Sequence, residues 1–315
     1  MTSAEEPTDR THHQDHSSNG LSQGPAPAAR FLAPVLLALA LGMATASVLG
    51  PVGLGLLEYR TSPTTLNQLV GSDAAALVVI APLAVIAAVL VARGHRAGPV
   101  LGSGIGVYAV YTYAQLIIGQ EYLRLPGNVE YWFPLLLGVF VLAEAATVLS
   151  WLAIPKHLPP LSRRVQRTAA VALLASAAFL TVGLHLPTML TAWDDPASMT
   201  EYSSSPTPFW MVKLMDLGIL VPVAIACGIG LLAGAGWARR VVYPLLTGYT
   251  CLTISVASMA VVMLLRGDPD ASAGLAGGFL VFAALFITLV VALYRPLFHP
   301  GATHPRATPR EVRTP

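Results

Sequence analysis

The stretch FWMVKLMDLGILVP (residues 209–222) begins an apolar run that continues to residue 234. About 20 apolar residues in a helix cross a hydrocarbon core that is roughly 30 Å thick. The run is therefore long enough to span a membrane, although it contains Lys213 and Asp216. Charged side chains inside a membrane helix are costly and usually have a functional or pairing role. This stretch therefore bears on both the fold and the function of the chain.

The rest of the chain has the composition of a membrane protein. Only 11% of its 315 residues are charged and its mean hydropathy is +0.65, whereas about a quarter of a soluble domain is charged. Backbone groups in lipid must be hydrogen-bonded within the segment, which predicts helices. We predict an all-α helical membrane bundle of about eight transmembrane helices, near residues 31–57, 73–92, 98–119, 131–154, 168–187, 209–234, 241–265 and 273–294.

The distribution of basic residues predicts the orientation. Fourteen of the eighteen lysines and arginines lie in the two terminal segments and in the loops after the second, fourth and sixth predicted helices. Basic loops stay on the cytoplasmic side, so we expect a multi-pass plasma-membrane protein with both termini cytoplasmic. The opposite face is acidic, and it is either a solvated surface or a rim that attracts cations. No basic block resembles a nucleic-acid-binding surface, so the expected partners are the lipid bilayer and an unknown small solute or ion.

An internal repeat divides the predicted bundle. Residues 62–73 (SPTTLNQLVGSD) align without gaps on residues 205–216 (SPTPFWMVKLMD), and each segment ends at an aspartate, Asp73 or Asp216. Two tandem four-helix repeats would insert the same way round, because each contains an even number of helices. The predicted organisation is a disordered N-terminal tail (1–30), a first unit (31–154), a basic linker (155–167), a second unit (168–295) and a disordered C-terminal tail (296–315).

The two aspartates are the first candidate site residues. Lys213 and Asp216 are three residues apart, so they can share a helix face and form an ion pair that fixes packing. If the repeat is real, the second helix begins earlier than hydropathy indicates and Asp73 lies at the depth of Asp216. Pro82 and Pro222 follow the two aspartates, and each frees a carbonyl that could coordinate a cation or be satisfied by local helix distortion.

Further polar residues lie inside the predicted third, fourth and fifth helices. Tyr111 and Gln115 belong to one polar-aromatic stripe of the third helix, which either lines a cavity or makes interhelical hydrogen bonds. Glu144 lies near the middle of the fourth helix, so we predict a proton- or cation-linked role or a neutral carboxyl that bonds to backbone. For His185, at the outer end of the fifth helix, we predict either a proton-exchanging role or a structural one.

Signatures of soluble chemistry are missing from the sequence. The chain contains no nucleotide-binding loop, zinc-protease motif or nucleophile elbow. The histidines of residues 11–16 (THHQDH) are too few and too flexible to be a strong metal site. We therefore predict no cofactor and no metal, and the sequence favours a protein that is not an enzyme.

Three segments carry a resemblance to a bacterial family of uncharacterised integral membrane proteins. They are QLVGSDAAALVVIAPL (68–83), VYTYAQ (110–115) and KLMDLGILVP (213–222). The resemblance covers most of the membrane region and implies a polytopic helical fold, and it transfers no activity to individual residues.

Two classes of function follow from these patterns. The first is a small-solute or ion-coupled transporter with a polar site in the extracytoplasmic half of the membrane. The second is a non-transporting scaffold, assembly factor or sensor whose polar residues serve packing, and a membrane-embedded enzyme is a more distant alternative. Ionisable residues on separate helices favour transport, and the predicted site consists of Asp73, Tyr111, Gln115, Glu144, His185, Lys213 and Asp216.

Overall fold

The computed structural model describes residues 27–156 and 158–298. In this part of the chain there are eight helices that are long and apolar enough to cross a membrane, so the prediction of an all-α membrane bundle is confirmed. The predicted terminal tails lie largely outside the described residues. The spans are α1 (Pro27–Leu49), α2 (Pro63–Ala92), α3 (Ala97–Ile118), α4 (Val129–Ala153), α5 (Arg163–Asp194), α6 (Pro206–Leu232), α7 (Gly236–Leu265) and α8 (Ala273–Phe298).

The helix bounds differ from the apolar runs where turn chemistry outweighs hydropathy. Helix α1 ends at Leu49 instead of near residue 57, because Gly50 and Pro51 follow it. Helix α2 begins at Pro63, ten residues before its apolar run, as the repeat predicted. The Ser62 hydroxyl accepts a hydrogen bond from the Thr65 N–H and caps its first turn. Helix α5 begins at Arg163 and continues to Asp194, so both ends extend beyond the predicted span.

Three spans contain a short π-helical segment that ends immediately before an X-Pro pair. These segments are Ala76–Ile80 in α2, Phe179–His185 in α5 and Asp216–Leu220 in α6. The prolines Pro82, Pro187 and Pro222 each occupy the second position of the α-helix that follows. Because proline lacks an N–H group, the preceding turn loses a hydrogen bond and its carbonyl register shifts. The predicted local distortion is thus present, and π-helical turns are frequent at functional sites.

The two halves of the chain pack in the same order. Helices α1 and α3 each contact α2 and α4, and helices α5 and α7 each contact α6 and α8. The turns that follow α2 and α6 also match, because Gly94 and Gly234 have φ of +67° and +75°. Next to them, the His95 N–H donates to Leu90 O and the Ala235 N–H donates to Gly230 O, both at 2.8 Å. This arrangement supports the predicted tandem repeat.

The halves meet along α7, which packs against α2 and α3. At the crossing of α3 and α7, a Cβ added to Gly104 would lie 2.3 Å from Thr247 Cβ, so only glycine permits this approach. The repeat also brings matching positions together, since the Ser62 N–H donates to Ser205 Oγ at 3.1 Å. We call the end of the bundle that carries the α1–α2, α3–α4, α5–α6 and α7–α8 connections the cavity end, and the other the closed end.

Two arginines tie the halves together at the closed end. Arg96, which precedes α3, donates to the carbonyl of Leu297 at 2.9 Å at the end of α8. Arg240, in the first turn of α7, donates to the carbonyls of Trp151 and Ile154 at 2.9 and 3.2 Å at the end of α4. Each guanidinium thus satisfies orphan carbonyls of the last helix of the other half.

Candidate functional site

A cavity of about 630 Å³ lies between the two halves and extends from the cavity end into the bundle. Small-molecule sites usually enclose about 300–1,000 Å³. Its wall is formed by the starts of α2, α6 and α8, the C-terminal halves of α3, α5 and α7, and the α5–α6 connection. At the closed end the space is filled by apolar residues without exposure, among them Cys227, Leu231 and Val242. The cavity is therefore open towards one end of the bundle.

Three polar side chains from three helices are hydrogen-bonded to one another inside this cavity. The Tyr111 hydroxyl on α3 donates to Asp216 Oδ1 on α6. The other carboxyl oxygen of Asp216 lies 2.7 Å from His185 Nε2 on α5. All three line the cavity, and Asp216 and His185 are only 7% and 3% exposed. Asp216 lies about 15 Å from the start of α6, at about 1.5 Å per residue.

The distorted helices place this cluster. Asp216 is the first residue of the π-helical segment of α6, and His185 is the last residue of the one in α5. The Tyr249 hydroxyl on α7 donates to Leu220 O at 2.9 Å and satisfies a carbonyl at the end of the α6 segment. His185 lies well inside α5, because the helix continues to Asp194. It is therefore deeper than the interfacial position that the sequence predicted.

Lys213 does not form the ion pair that the sequence predicted with Asp216. Its ammonium lies 3.2 Å from the centroid of the Phe209 ring, and the ion pairs within 4.0 Å in the described residues do not include it. Helical side chains point towards the N-terminus, so the lysine reaches back over the residue one turn earlier. The Asp216 oxygens face Tyr111 and His185 instead. Lys213 is 6% exposed and lines the cavity, as Gln115 does.

Asp73 lies in the first half and is not part of the cavity wall. The Tyr59 hydroxyl, from the α1–α2 connection, donates to Asp73 Oδ2 at 3.1 Å. Burial and the adjacent Asp73 carboxylate raise the pKa of Tyr59 well above its ordinary value, so the hydroxyl stays a donor. Gly50 lies close to the Asp73 carboxyl group and helps to enclose it, because a Cβ added to Gly50 would lie 3.0 Å from Asp73 Oδ2. The structure therefore does not bring Asp73 together with Asp216.

Glu144 is also outside the cluster. Its side chain is exposed on the outer surface of α4, on the same face as Val141 and Val148. Sequence position predicted its depth in the helix, whereas the packing of α4 against α1 and α3 decides its direction. The structure thus brings together Tyr111, Gln115, His185, Lys213 and Asp216 of the predicted site and leaves out Asp73 and Glu144.

Other residues of the cavity wall carry weaker signals in the sequence. One side is aromatic: Phe179 on α5 and Phe282 on α8 line the cavity with ring centroids 6.1 Å apart, and Phe282 packs on Phe286 at 4.9 Å. At the mouth, Glu201 and Asp270 are exposed carboxylates that also line the cavity. They belong to the predicted acidic face, and their sequence positions alone do not assign them to a site.

The described residues offer no cluster of three or more His, Cys, Asp and Glu side chains suited to a metal ion. The His12, His13 and His16 tract lies outside the described residues. Comparisons with protein-family models, with curated proteins and with solved structures found no match to the chain.

Proposed function

We propose that this integral membrane protein transports a small solute together with a proton, and that the cavity is its solute site. The observation that carries the proposal is the hydrogen-bonded set Tyr111–Asp216–His185, buried at the inner part of an open cavity. Imidazole is the side chain that ordinarily exchanges a proton near neutral pH. A carboxyl and an imidazole that share a hydrogen bond can hold a proton while solute occupies the space beside them.

The orientation is part of the proposal. Basic residues predominate in the loops of the closed end, which supports a cytoplasmic closed end and a cavity mouth on the outer side of the plasma membrane. Solute would enter from outside, and the closed end would have to separate before release. The π-helical segments of α5 and α6 are the local weak points at which such movement can occur.

A solute sensor is the second candidate, because the cavity opens at one end and the closed end is filled with apolar side chains. A sensor would bind solute without moving protons. The two candidates are therefore separated by whether solute drives proton movement across a sealed membrane.

The test uses the full chain in liposomes that contain a pH-sensitive dye. A panel of amino acids, carboxylates, amines and metal cations is added outside, and acidification of the lumen is recorded. We expect at least one solute to drive acidification, and Asp216→Asn to reduce the initial rate more than tenfold because the proton acceptor is lost. His185→Gln should have an effect in the same direction.

The repeat supplies a matched control. Asp73→Asn makes the same change at the same repeat position, outside the cavity, and should keep the wild-type rate; Glu144→Gln should too. Equal losses in Asp73→Asn and Asp216→Asn would assign both aspartates to folding and contradict the proposal. Solute binding without acidification in the wild type would favour the sensor.

A further inference from the structure

In the described part of the chain, no carboxylate oxygen lies within 4.0 Å of the buried ammonium group of Lys213. Its ammonium contacts the Phe209 ring, and a ring face satisfies only part of the charge of an ammonium group with three N–H donors. The side chain is 6% exposed and that exposure is towards the cavity it lines. A buried charge of this kind is stabilised when an anionic group binds next to it.

The surrounding charges restrict which anionic molecule can bind. Glu201 and Asp270 at the mouth repel simple anions and raise the local concentration of molecules with a positive group. Asp216 lies three residues further along α6, on the same cavity wall. Its carboxyl oxygens have lone pairs beyond those used by Tyr111 and His185, so they can accept from an ammonium. One solute with both charges would match both groups.

The remaining wall restricts the uncharged part of the solute. The cavity wall also contains Phe179, Phe282, Leu180 and Leu252, and apolar surface of this kind favours apolar solute. We infer that the cavity binds a zwitterion, an amino acid with an apolar side chain, whose carboxylate contacts Lys213 and whose ammonium contacts Asp216. This inference deepens the proposed function by naming the class of solute and rests on the same cavity.

The binding test compares three probes of nearly equal shape. L-Leucine carries both charges, 3-methylbutylamine lacks the carboxylate, and 4-methylpentanoate lacks the ammonium. Calorimetric titration of the full chain in lipid nanodiscs should show leucine binding at least tenfold more tightly than either analogue, because each charged contact contributes about that factor. Equal affinity of the amine and leucine, or no binding of leucine, would overturn the inference.

Two variants test the assignment of each charge. Lys213→Met keeps the length of the side chain, and it should weaken leucine about tenfold while leaving the amine unchanged. Lys213→Arg should restore most of the loss, which separates charge from packing. Asp216→Asn should weaken leucine and the amine but not the carboxylate analogue. A Lys213→Met protein that elutes as a single species and binds leucine like the wild type would exclude the carboxylate contact.

Different results would contradict the inference of a zwitterionic solute and the proposal of transport. Proton uptake driven equally by the amine and by leucine would contradict the zwitterion and leave the transporter intact. Leucine binding with the expected preferences but without proton uptake would support the zwitterion and contradict the transporter. Calorimetry in nanodiscs measures binding and the liposome assay measures proton uptake, so the two proposals are tested independently.

Discussion

Asp73 and Asp216 occupy the same position in the two repeated segments, yet they lie in opposite environments. Each follows a Ser-Pro-Thr helix start, and each lies close to a π-helical segment and a proline. Asp73 is enclosed by Tyr59 and the backbone at Gly50, whereas Asp216 faces an open cavity with Tyr111 and His185. The repeat thus sets the depth of both aspartates, and the neighbouring helices decide which of them a solute can reach.

A second difference lies at the contacts between the halves. In the first segment, Gly71 lets α2 approach α7 so closely that an added Cβ would lie 2.4 Å from Met259 Cα. In the second segment the same repeat position is Leu214, whose side chain is 70% exposed. Helix α6 meets α3 over a shorter contact than α2 makes with α7, and the space left there belongs to the cavity. The small residue thus permits the close α2–α7 contact, whereas the large residue at the matching position of α6 lies on the exposed surface.

The largest expected effect comes from replacing that glycine with a large side chain such as leucine. Gly71→Ala places a Cβ against the α7 backbone, which cannot move as a side-chain end would. We expect the free energy of unfolding to fall by about 1–3 kcal/mol, as for other overpacked contacts, and Gly71→Leu to cost more. Denaturation by sodium dodecyl sulfate in mixed micelles measures the change.

Two controls separate this contact from the general effect of substitution. Gly138→Ala on α4 has no atom within 4 Å of the added Cβ, so it should be neutral or stabilise by up to about 1 kcal/mol through helix propensity. Leu214→Ala should change the free energy of unfolding by less than about 0.5 kcal/mol, because the side chain is exposed. If Gly71→Ala behaves like Gly138→Ala, the close α2–α7 contact does not require glycine, and this difference between the halves is not supported.

The comparison also explains which parts of the site the sequence predicts. Hydropathy and the repeat locate eight spans and the depth of Asp216, and helical spacing puts Tyr111 and Gln115 on one face. The direction in which a helix faces depends on long-range contacts, so the same reasoning includes Glu144, which lies on the outer surface. The partner of a long side chain is equally hard to predict from the sequence. Helical spacing predicts a Lys213–Asp216 pair, whereas the lysine contacts Phe209 in the structure.

The closed end offers a second comparison between the halves, with intermediate expected changes in the free energy of unfolding. Arg240 donates to two carbonyls of α4 and its guanidinium lies 4.3 Å from the Trp151 ring centroid. Arg96 makes one short bond to the end of α8 at 2.9 Å and one longer bond at 3.4 Å. We expect Arg240→Ala to cost about 2–3 kcal/mol of unfolding free energy and Arg96→Ala about 1–2 kcal/mol. The same detergent titration measures both.

The neighbouring exposed arginine is the control for this pair. Arg239→Ala removes the same charge next to Arg240 and should change the free energy of unfolding by less than about 0.5 kcal/mol. A cost for Arg239→Ala equal to that for Arg240→Ala would assign the effect to loop charge and not to the carbonyl contacts between the halves.

The smallest expected effect, that of Tyr111→Phe, belongs to the pair of substitutions that separates the two aspartates most directly. Each accepts a hydrogen bond from a tyrosine, Tyr59 for Asp73 and Tyr111 for Asp216. Tyr59→Phe leaves the carboxyl of a sealed site without its donor and should cost about 1–3 kcal/mol, which is typical of an unsatisfied buried group. Tyr111→Phe should cost less than about 0.5 kcal/mol, because water that enters the cavity can replace the hydroxyl.

In an Asp73→Ala background the cost of Tyr59→Phe should vanish, since a double-mutant cycle isolates this pair. Equal costs for the two tyrosines would mean that both aspartates are equally sealed, and the comparison between the halves would fail.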